Sequence, residues 1–524
     1  MRMRWVMIAL GLTTLVWLPT LSDLASPAHL AVYHFYGSAT GLFVPVLVAL
    51  AIWWASLTCL LIASARFRPL RIGLWTLVAL CLPWLLRVLS QAAKLEIPTR
   101  YDFLTSALAA ACLLVFFRRS HMTWPLFATR LIHAAETGFF FFGWAGILLL
   151  SQVLWSFREA SGLSPGVARA PTIRSSLSAQ SPVKGPHCIW ILLDELSYAQ
   201  TYERRFPGLQ LPAFDRLAAQ SIVFTHVVPA GYHTQEVLPS LLTGLSVQRV
   251  RSSADGRQLT LETVPGAPSG SPESHSFDQH DTVFSDARSL DYGTAVVGWY
   301  NPYCRILSDV LDRCFWTIDS RLPLNPLATY FGATTGLAWR ADLLWPDRRY
   351  RDLHIDEYRQ LMSASQATLA SGADDFVFLH LPVPHSPGIY DRQTGTLTDS
   401  GRSSYVDNLA LADKTLGELR ATLEARGEWD SSAILVMGDH SWRAPGWRRV
   451  VGWTREDDAA MGDSGFDDRP GYIVKMPGQQ QGVRFDGVFA ATRTRGLIDQ
   501  ILTRKIATPD ELTTWAAQPR RGQP

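Results

Sequence analysis

The sequence predicts two architectures in one chain: an N-terminal all-α bundle of about five transmembrane helices, followed by an α/β domain with a central, largely parallel sheet. Three observations predict this. Residues 1–157 are poor in charge, rich in Leu, Trp, Phe and Ala, and hold five apolar stretches of roughly bilayer-spanning length. Residues 187–524 have the composition of an ordinary soluble protein, with short continuous apolar runs alternating with helical periodicity. Several of those runs end in acids or histidines, where parallel α/β sheets place ligands.

The apolar stretches cover residues 4–22, 41–64, 70–90, 103–117 and 136–156. Cations fall in alternate loops: Arg2 and Arg4 before the first, Arg66, Arg68 and Arg71 after the second, Arg118, Arg119 and Arg130 after the fourth. The loop near 23–40 has none, and the remaining loop holds mainly Lys94 and Arg100. By the positive-inside rule the N-terminus is cytoplasmic and everything after about residue 157 lies outside. "MRMRW" and the run behind it also read as a signal peptide. Four spans would then remain, and the second half would still lie outside.

The whole chain has 524 residues and a net charge of +2, so no basic field draws it to nucleic acid. Cys59, Cys81 and Cys112 fall in or beside apolar stretches and read as membrane-buried. Cys304 and Cys314, close together in "NPYCRILSDVLDRC", suit a local disulfide in an oxidising compartment. Cys188 opens an apolar strand and reads as core.

Residues 158–186 are rich in Ser, Pro, Ala and Gly and read as a linker. The α/β pattern then begins. "HCIWILLDE" is a strand buried on both faces, "LPAFDRLAAQS" a helix and "IVFTHVV" a strand. A helix around Leu238, Leu241 and Leu242 follows, with Pro239 in its first turn. The polar insertion at 251–280 reads as a mobile loop. "YGTAVVGWYN", "DFVFLHLPVPH", "SSAILVMGDH" and "PGYIVKMPG" read as strands. "DEYRQLMSASQATLAS" and "YVDNLALADKTLGELRATLEAR" read as helices.

The chemistry collects at strand ends. "IWILLDE" ends in Asp194 and Glu195, "VFLHLPVPH" in His385, and "AILVMGDH" in Asp439 and His440. Carboxylate with imidazole is a ligand set for Zn²⁺ or Mn²⁺. Thr234, at the loop-to-helix junction in "GYHTQEVLPSLLTG", reads either as an N-cap or as a nucleophile. A neighbouring metal ion lowers a hydroxyl pKa, and a helix N-terminus steadies a phosphoryl group. His380, inside its strand, reads as a packed histidine. Arg443 reads as an anion-binding cation or a surface arginine, and Asn301 as a pocket residue or a structural one. Trp442 and Trp447 read as packing residues near the site.

In order, "HCIWILLDE", "LPAFDRLAAQSIVFTHVV", Thr-x-x-x-x-Pro-Ser-Leu-Leu-Thr-Gly, "FVFLHLPVPHSP" and "ILVMGDHS" resemble the alkaline phosphatase superfamily. The likeness is to its sulfatase-like membrane branch, which includes phosphoethanolamine transferases and lipoteichoic acid synthases. It covers most of 187–480. It implies Thr234 as nucleophile, Glu195 as the metal-binding acid with Asp194 as helper, Asp439 and His440 as the metal-binding pair, and His385 on the substrate side. Sulfatases of the aldehyde type need Cys or Ser in C/S-x-P-x-R, and "TQEVLP" lacks both. "GWYNP" lacks the sulfatase lysine. No histidine follows His440, so the resemblance does not extend to a second zinc site.

The expected protein is a metal-dependent transferase in a bacterial inner membrane, with its catalytic domain in the periplasm. It would move phosphoethanolamine or phosphoglycerol from a phospholipid donor to a lipid-linked sugar or surface glycan through a phospho-threonine. A hydrolase or phosphodiesterase on the same site, and a degenerate surface-polysaccharide assembly protein, are the alternatives.

Overall fold

The computed structural model describes residues 2–35, 39–80, 111, 124–162, 185–263, 273–317, 348–448, 453–462 and 465–518. The expected span at 103–117 apart from residue 111, the second half of that at 70–90, and most of the linker lie outside the described residues.

In the N-terminal region the described helices are Arg2–Leu24, Leu30–Tyr33, Ala39–Arg66, Arg68–Leu80 and Trp124–Gly162. Two of the described helices, at Ala39–Arg66 and Leu126–Ala160, are long and apolar enough to cross a bilayer, and Met3–Leu18 and Pro69–Ala79 are shorter apolar stretches. The expected count of five is therefore not reproduced among the described residues. The first and last of these helices pack closely because glycine leaves room: a Cβ on Gly11 would meet the Phe139 carbonyl oxygen at 2.2 Å. Buried Glu136 ties three helices together, accepting from Arg71 Nε at 2.9 Å and Arg4 Nη2 at 3.5 Å. Both arginines are among the cations on which the expected topology rests.

The α/β domain is built on strands β1 (Cys188–Leu193), β2 (Ile222–Val228), β6 (Thr294–Trp299), β7 (Arg313–Thr317), β8 (Phe376–Leu381), β11 (Ala433–Met437), β12 (Tyr472–Lys475) and β13 (Val483–Ala490). Their order in the sheet is β13-β2-β12-β11-β1-β8-β6-β7. β12 runs antiparallel to both its neighbours, and every other pairing is parallel. The sheet is thus mixed, with the parallel part dominant. β1 lies inside it and is buried along its whole length. Its alternate residues feed two cores: Cys188, Trp190 and Leu192 on one face, Ile189, Ile191 and Leu193 on the other.

Two expectations are corrected here. The insertion at 251–280 is not a plain loop. β3 (Val247–Ser252), β4 (Leu259–Thr263) and β5 (Glu273–Ser276) form a small antiparallel sheet, with Val247, Val250, Leu259 and Leu261 buried at alternating or near-alternating positions, and β9 (Tyr390–Asp391) and β10 (Thr396–Leu397) form a separate antiparallel pair. Pro239 stands in the second turn of the helix Thr234–Thr243, because that helix begins at Thr234. The expected disulfide is present: Cys304 and Cys314 are bonded, with Cα atoms 5.6 Å apart.

Candidate active site

Four segments that leave the same edge of the sheet meet at one place. β1 runs out into Asp194 and Glu195, β11 into Asp439 and His440, and β8 into the turn carrying His385. β2 leads to the helix Thr234–Thr243. Register brings the acids together: Leu192 pairs with Met437, so Asp194 and Asp439, each two residues further on, stand side by side.

Thr234 is the first residue of its helix, and His233 occupies the N-cap position. The Thr234 hydroxyl therefore does not cap. It lies 2.8 Å from Asp439 Oδ2 and 3.2 Å from Asp194 Oδ2, and the residue is 7% exposed. A hydroxyl has one proton, so the two carboxylates compete for it.

Asp194, Asp439 and His440 are buried, and each offers a ligand atom within 4.8 Å of the others. His440 Nδ1 lies 3.0 Å from the Ser441 carbonyl oxygen, which can only accept. The ring proton therefore sits on Nδ1, and Nε2 presents a lone pair. That lone pair faces Asp439 Oδ2 at 3.1 Å, and neither His440 Nε2 nor Asp194 Oδ1 has a hydrogen-bond partner. Acceptors crowded and unpaired in a buried site are costly, and a shared cation relieves all of them together. A carbonyl on the far ring nitrogen is also how metal-binding histidines are oriented. The donor set thus fits a divalent metal ion. Without a cation, burial and then the Asp439 charge push the Asp194 carboxyl well above the ordinary range. Burial acts on Asp439 too, but His440, the Glu195 N–H and His380 together hold its carboxyl below that range.

Glu195 stands beside this three-residue group. Its carboxylate accepts from Arg443 Nε at 2.6 Å and from Trp447 Nε1 at 2.8 and 2.9 Å, outside the three-residue ligand group. Its backbone sits at φ +65° and its N–H donates to Asp439 Oδ1 at 3.0 Å, so Glu195 orients Asp439 through the main chain. Arg443 is partly buried. Its two terminal nitrogens lie 3.4 Å from His233 Nδ1 and 3.3 Å from His385 Nε2. Burial works against its charge, but Glu195 and Asp194 outweigh it and raise the pKa.

His385 is buried between two cis prolyl bonds, Val383–Pro384 and Ser386–Pro387. The Asn408 amide holds this turn, donating to the carbonyls of His385 at 2.8 Å and Pro387 at 3.0 Å. Trp299 and Trp447 each stand edge-on to the ring, with centroids 5.0 Å away. Burial, then the Arg443 charge, push the imidazole pKa well down, so it is neutral at pH 7.

His380 reads in the sequence as a packed histidine. It is fully buried, but Nε2 points at Asp194 Oδ2 from 3.5 Å and Nδ1 lies 2.8 Å from Tyr303 Oη. The signal was its register opposite Leu192, two residues before Asp194, which needs the sheet topology to be read. Asn301 is buried and accepts from the Tyr33 hydroxyl. Trp442 stacks on Tyr405 and Trp453 as core, whereas Trp447 serves Glu195.

Residues 186–444 match the family model described as Sulfatase. No curated protein matches the chain by sequence. Among solved structures the chain is similar to the lipoteichoic acid synthase LtaP from Listeria monocytogenes (13% identity, 66% of this chain and 80% of that one, TM-score 0.38). It is also similar to the PsFucS1 sulfatase from Pseudoalteromonas sp. (14%, 60% and 67%, TM-score 0.38). A third is the phosphonate monoester hydrolase of Agrobacterium radiobacter (13%, 60% and 73%, TM-score 0.35). Likeness at this level does not bear on the reaction.

Proposed function

We propose that the chain, whose residues 186–444 match the sulfatase family model, is a membrane-anchored, metal-dependent phospho-head-group transferase of the alkaline phosphatase superfamily. One observation carries the reading. A threonine hydroxyl, Thr234, stands between two buried carboxylates, where aldehyde-type sulfatases need Cys or Ser. An unmodified hydroxyl suits attack on phosphorus.

Asp194, Asp439 and His440 would hold a divalent ion, Zn²⁺ or Mn²⁺, which supplies the Lewis acidity that lowers the Thr234 pKa. Asp439 Oδ2, at 2.8 Å, accepts the Thr234 proton. Thr234 Oγ1 then bonds to the phosphorus of phosphatidylethanolamine or phosphatidylglycerol. The diacylglycerol oxygen leaves in line and takes up the proton that Thr234 gave. Arg443 and His385 face the transferred group, with Arg443 donating to its non-bridging oxygens. In the second half an acceptor hydroxyl on a lipid-linked sugar or surface glycan attacks the phospho-threonine. Its proton passes to Asp439 and on to Thr234 as the threonine oxygen leaves.

The helices Ala39–Arg66 and Leu126–Ala160 support a membrane setting, because little of their apolar surface is covered by protein. The alternating basic loops and the Cys304–Cys314 bond support a multi-pass protein of the bacterial inner membrane with its site in the periplasm.

The test is labelled diacylglycerol release from tail-labelled phosphatidylethanolamine and phosphatidylglycerol by the full chain in detergent with Zn²⁺ or Mn²⁺. Release from one donor, rising with added glycan acceptor, supports transfer. Undiminished turnover without acceptor means that water is the acceptor and the protein is a phosphodiesterase. No release from either lipid by the metal-loaded chain would sink both donors.

A further inference from the structure

The helix Arg348–Ser371 turns a polar side inward. Arg351, His354 and Glu357 recur every three residues, so they share one side of the helix, and all three are buried. Core positions are ordinarily apolar, and burying such groups costs free energy unless each finds a partner. Their partners converge on His385. Arg351 Nη1 donates to the carbonyl of Gly388, in the turn that carries His385. The His354 ring lies beside the His385 ring, with centroids 6.1 Å apart. Glu357 Oε2 accepts from Trp299 Nε1 at 3.1 Å, and Trp299 is one of the two indoles that stand edge-on to His385.

Those two indoles are held alike. Trp447 Nε1 donates to Glu195 at 2.8 Å, and Trp299 Nε1 donates to Glu357, so a buried carboxylate fixes each ring. An indole has a single donor, and the partner of that N–H decides which way the ring turns. His385 sits between the two, 5.0 Å from each centroid. Its Nε2 lies 3.3 Å from Arg443 Nη2, and because a guanidinium only donates, Nε2 presents its lone pair there. Without Glu357 the Trp299 N–H is left buried and unpaired. The ring then turns toward another acceptor, and one side of the clamp opens.

We propose that Glu357 is a positioning residue: by fixing the Trp299 indole it closes one side of a clamp that holds His385 beside Arg443. Glu195 and Trp447 close the other side. This rests on the reading of His385 and Arg443 as facing the transferred group. Glu357 and Trp299 act through His385.

The test uses the full chain in detergent with Zn²⁺ and reads turnover and His385 reactivity separately. Glu357→Gln keeps an oxygen for the indole N–H, whereas Glu357→Leu removes both acceptors at similar volume. In diacylglycerol release, Glu357→Leu and Trp299→Phe are each expected to lower kcat about 10- to 100-fold, as a misplaced group does, with KM for the donor lipid within about threefold. Glu357→Gln should stay within about threefold of wild type in kcat. The double variant Glu357→Leu with Trp299→Phe should be no slower than Trp299→Phe alone, because Glu357 acts through that N–H. Acylation of His385 by diethyl pyrocarbonate, read by peptide mass, needs no turnover. A buried ring reacts through local opening, so Glu357→Leu should speed it about tenfold or more and Glu357→Gln should leave it unchanged. His187, at the opposite end of β1, is the internal control, and its rate should not move. If Glu357→Leu does not fold, Trp299→Phe carries both readouts. Equal losses in Glu357→Gln and Glu357→Leu, losses that multiply in the double variant, or unchanged His385 reactivity would overturn the proposal. A wild type that releases diacylglycerol from neither lipid defeats the transfer reading, and the reactivity then decides on the clamp by itself.

Discussion

Glu195 is fully buried, and Arg443 and Trp447 hold its carboxylate. Arg443→Met would leave that charge with one neutral donor. Breaking a buried pair from one side costs about 3–5 kcal/mol. The Arg443 side chain is 25% exposed and the Trp447 bond survives, so we take the low end, about 3 kcal/mol. At roughly 2–4 °C per kcal/mol, the unfolding midpoint should fall by about 6–12 °C. Glu195→Gln together with Arg443→Met removes the stranded charge and should recover most of the loss. Tryptophan fluorescence on heating, in detergent with chelator, reads both. The same chains loaded with Zn²⁺ separate the two roles open to Glu195. Glu195→Gln should keep affinity within about tenfold of wild type, whereas Asp439→Asn should lose about 100-fold or more. If Glu195→Gln abolishes binding as fully as Asp439→Asn, then Glu195 is a ligand and the assignment to Arg443 is wrong.

Removal of divalent ions should abolish diacylglycerol release and lower the unfolding midpoint, with Zn²⁺ or Mn²⁺ restoring both, since an ion bound only by the native state stabilises it. A chelated chain of unchanged midpoint would contradict the fit of Asp194, Asp439 and His440. Asp499 is held up to about 7, first by burial and then by Asp286. Its unfolded value is about 3.9, so the folded chain binds more protons between those limits and stability falls as pH rises through them. Asp499→Asn should therefore raise the midpoint at pH 8 by a few degrees, about 1 kcal/mol after discounting for partial exposure, and leave it nearly unchanged at pH 4.5. An equal gain at both values would show that the charge is not the cause. Replacing Cys304 and Cys314 by Ser should cost about 2–3 kcal/mol and loosen Arg305, which donates to the Phe35 carbonyl, read as faster proteolysis of the segment at 25–35. Unchanged cleavage there would separate the bridge from Arg305.

The sequence made the strand ends legible because β1, β8 and β11 are continuous apolar runs that stop at charged or imidazole side chains. A short run buried on both faces has few readings, and acids at its end have few places to go. The small sheet at 247–276 was hidden because its strands are short, polar and interrupted by Gly and Ser, with only four buried aliphatics to mark the alternation. Glu195 and Asp194 are adjacent, and which of them faces the metal group depends on the side each takes at the strand end, which spacing does not encode. His380 and Tyr33 were invisible for another reason. Each acquires its meaning from a partner brought near by the fold: Asn301 lies 268 residues from Tyr33, and Asp194 is on a strand that pairs with that of His380. A histidine inside an apolar strand looks the same in sequence whether it packs or faces an acid.

The central claim is that Thr234 forms a covalent bond to the transferred phospho-group. Intact-mass analysis of the metal-loaded full chain, quenched during incubation with phosphatidylethanolamine or phosphatidylglycerol, measures this directly. The account predicts an adduct of one phosphoethanolamine or phosphoglycerol unit, mapped to the peptide containing Thr234 and absent from Thr234→Ala. An adduct on another residue, or diacylglycerol release that persists in Thr234→Ala, would contradict it.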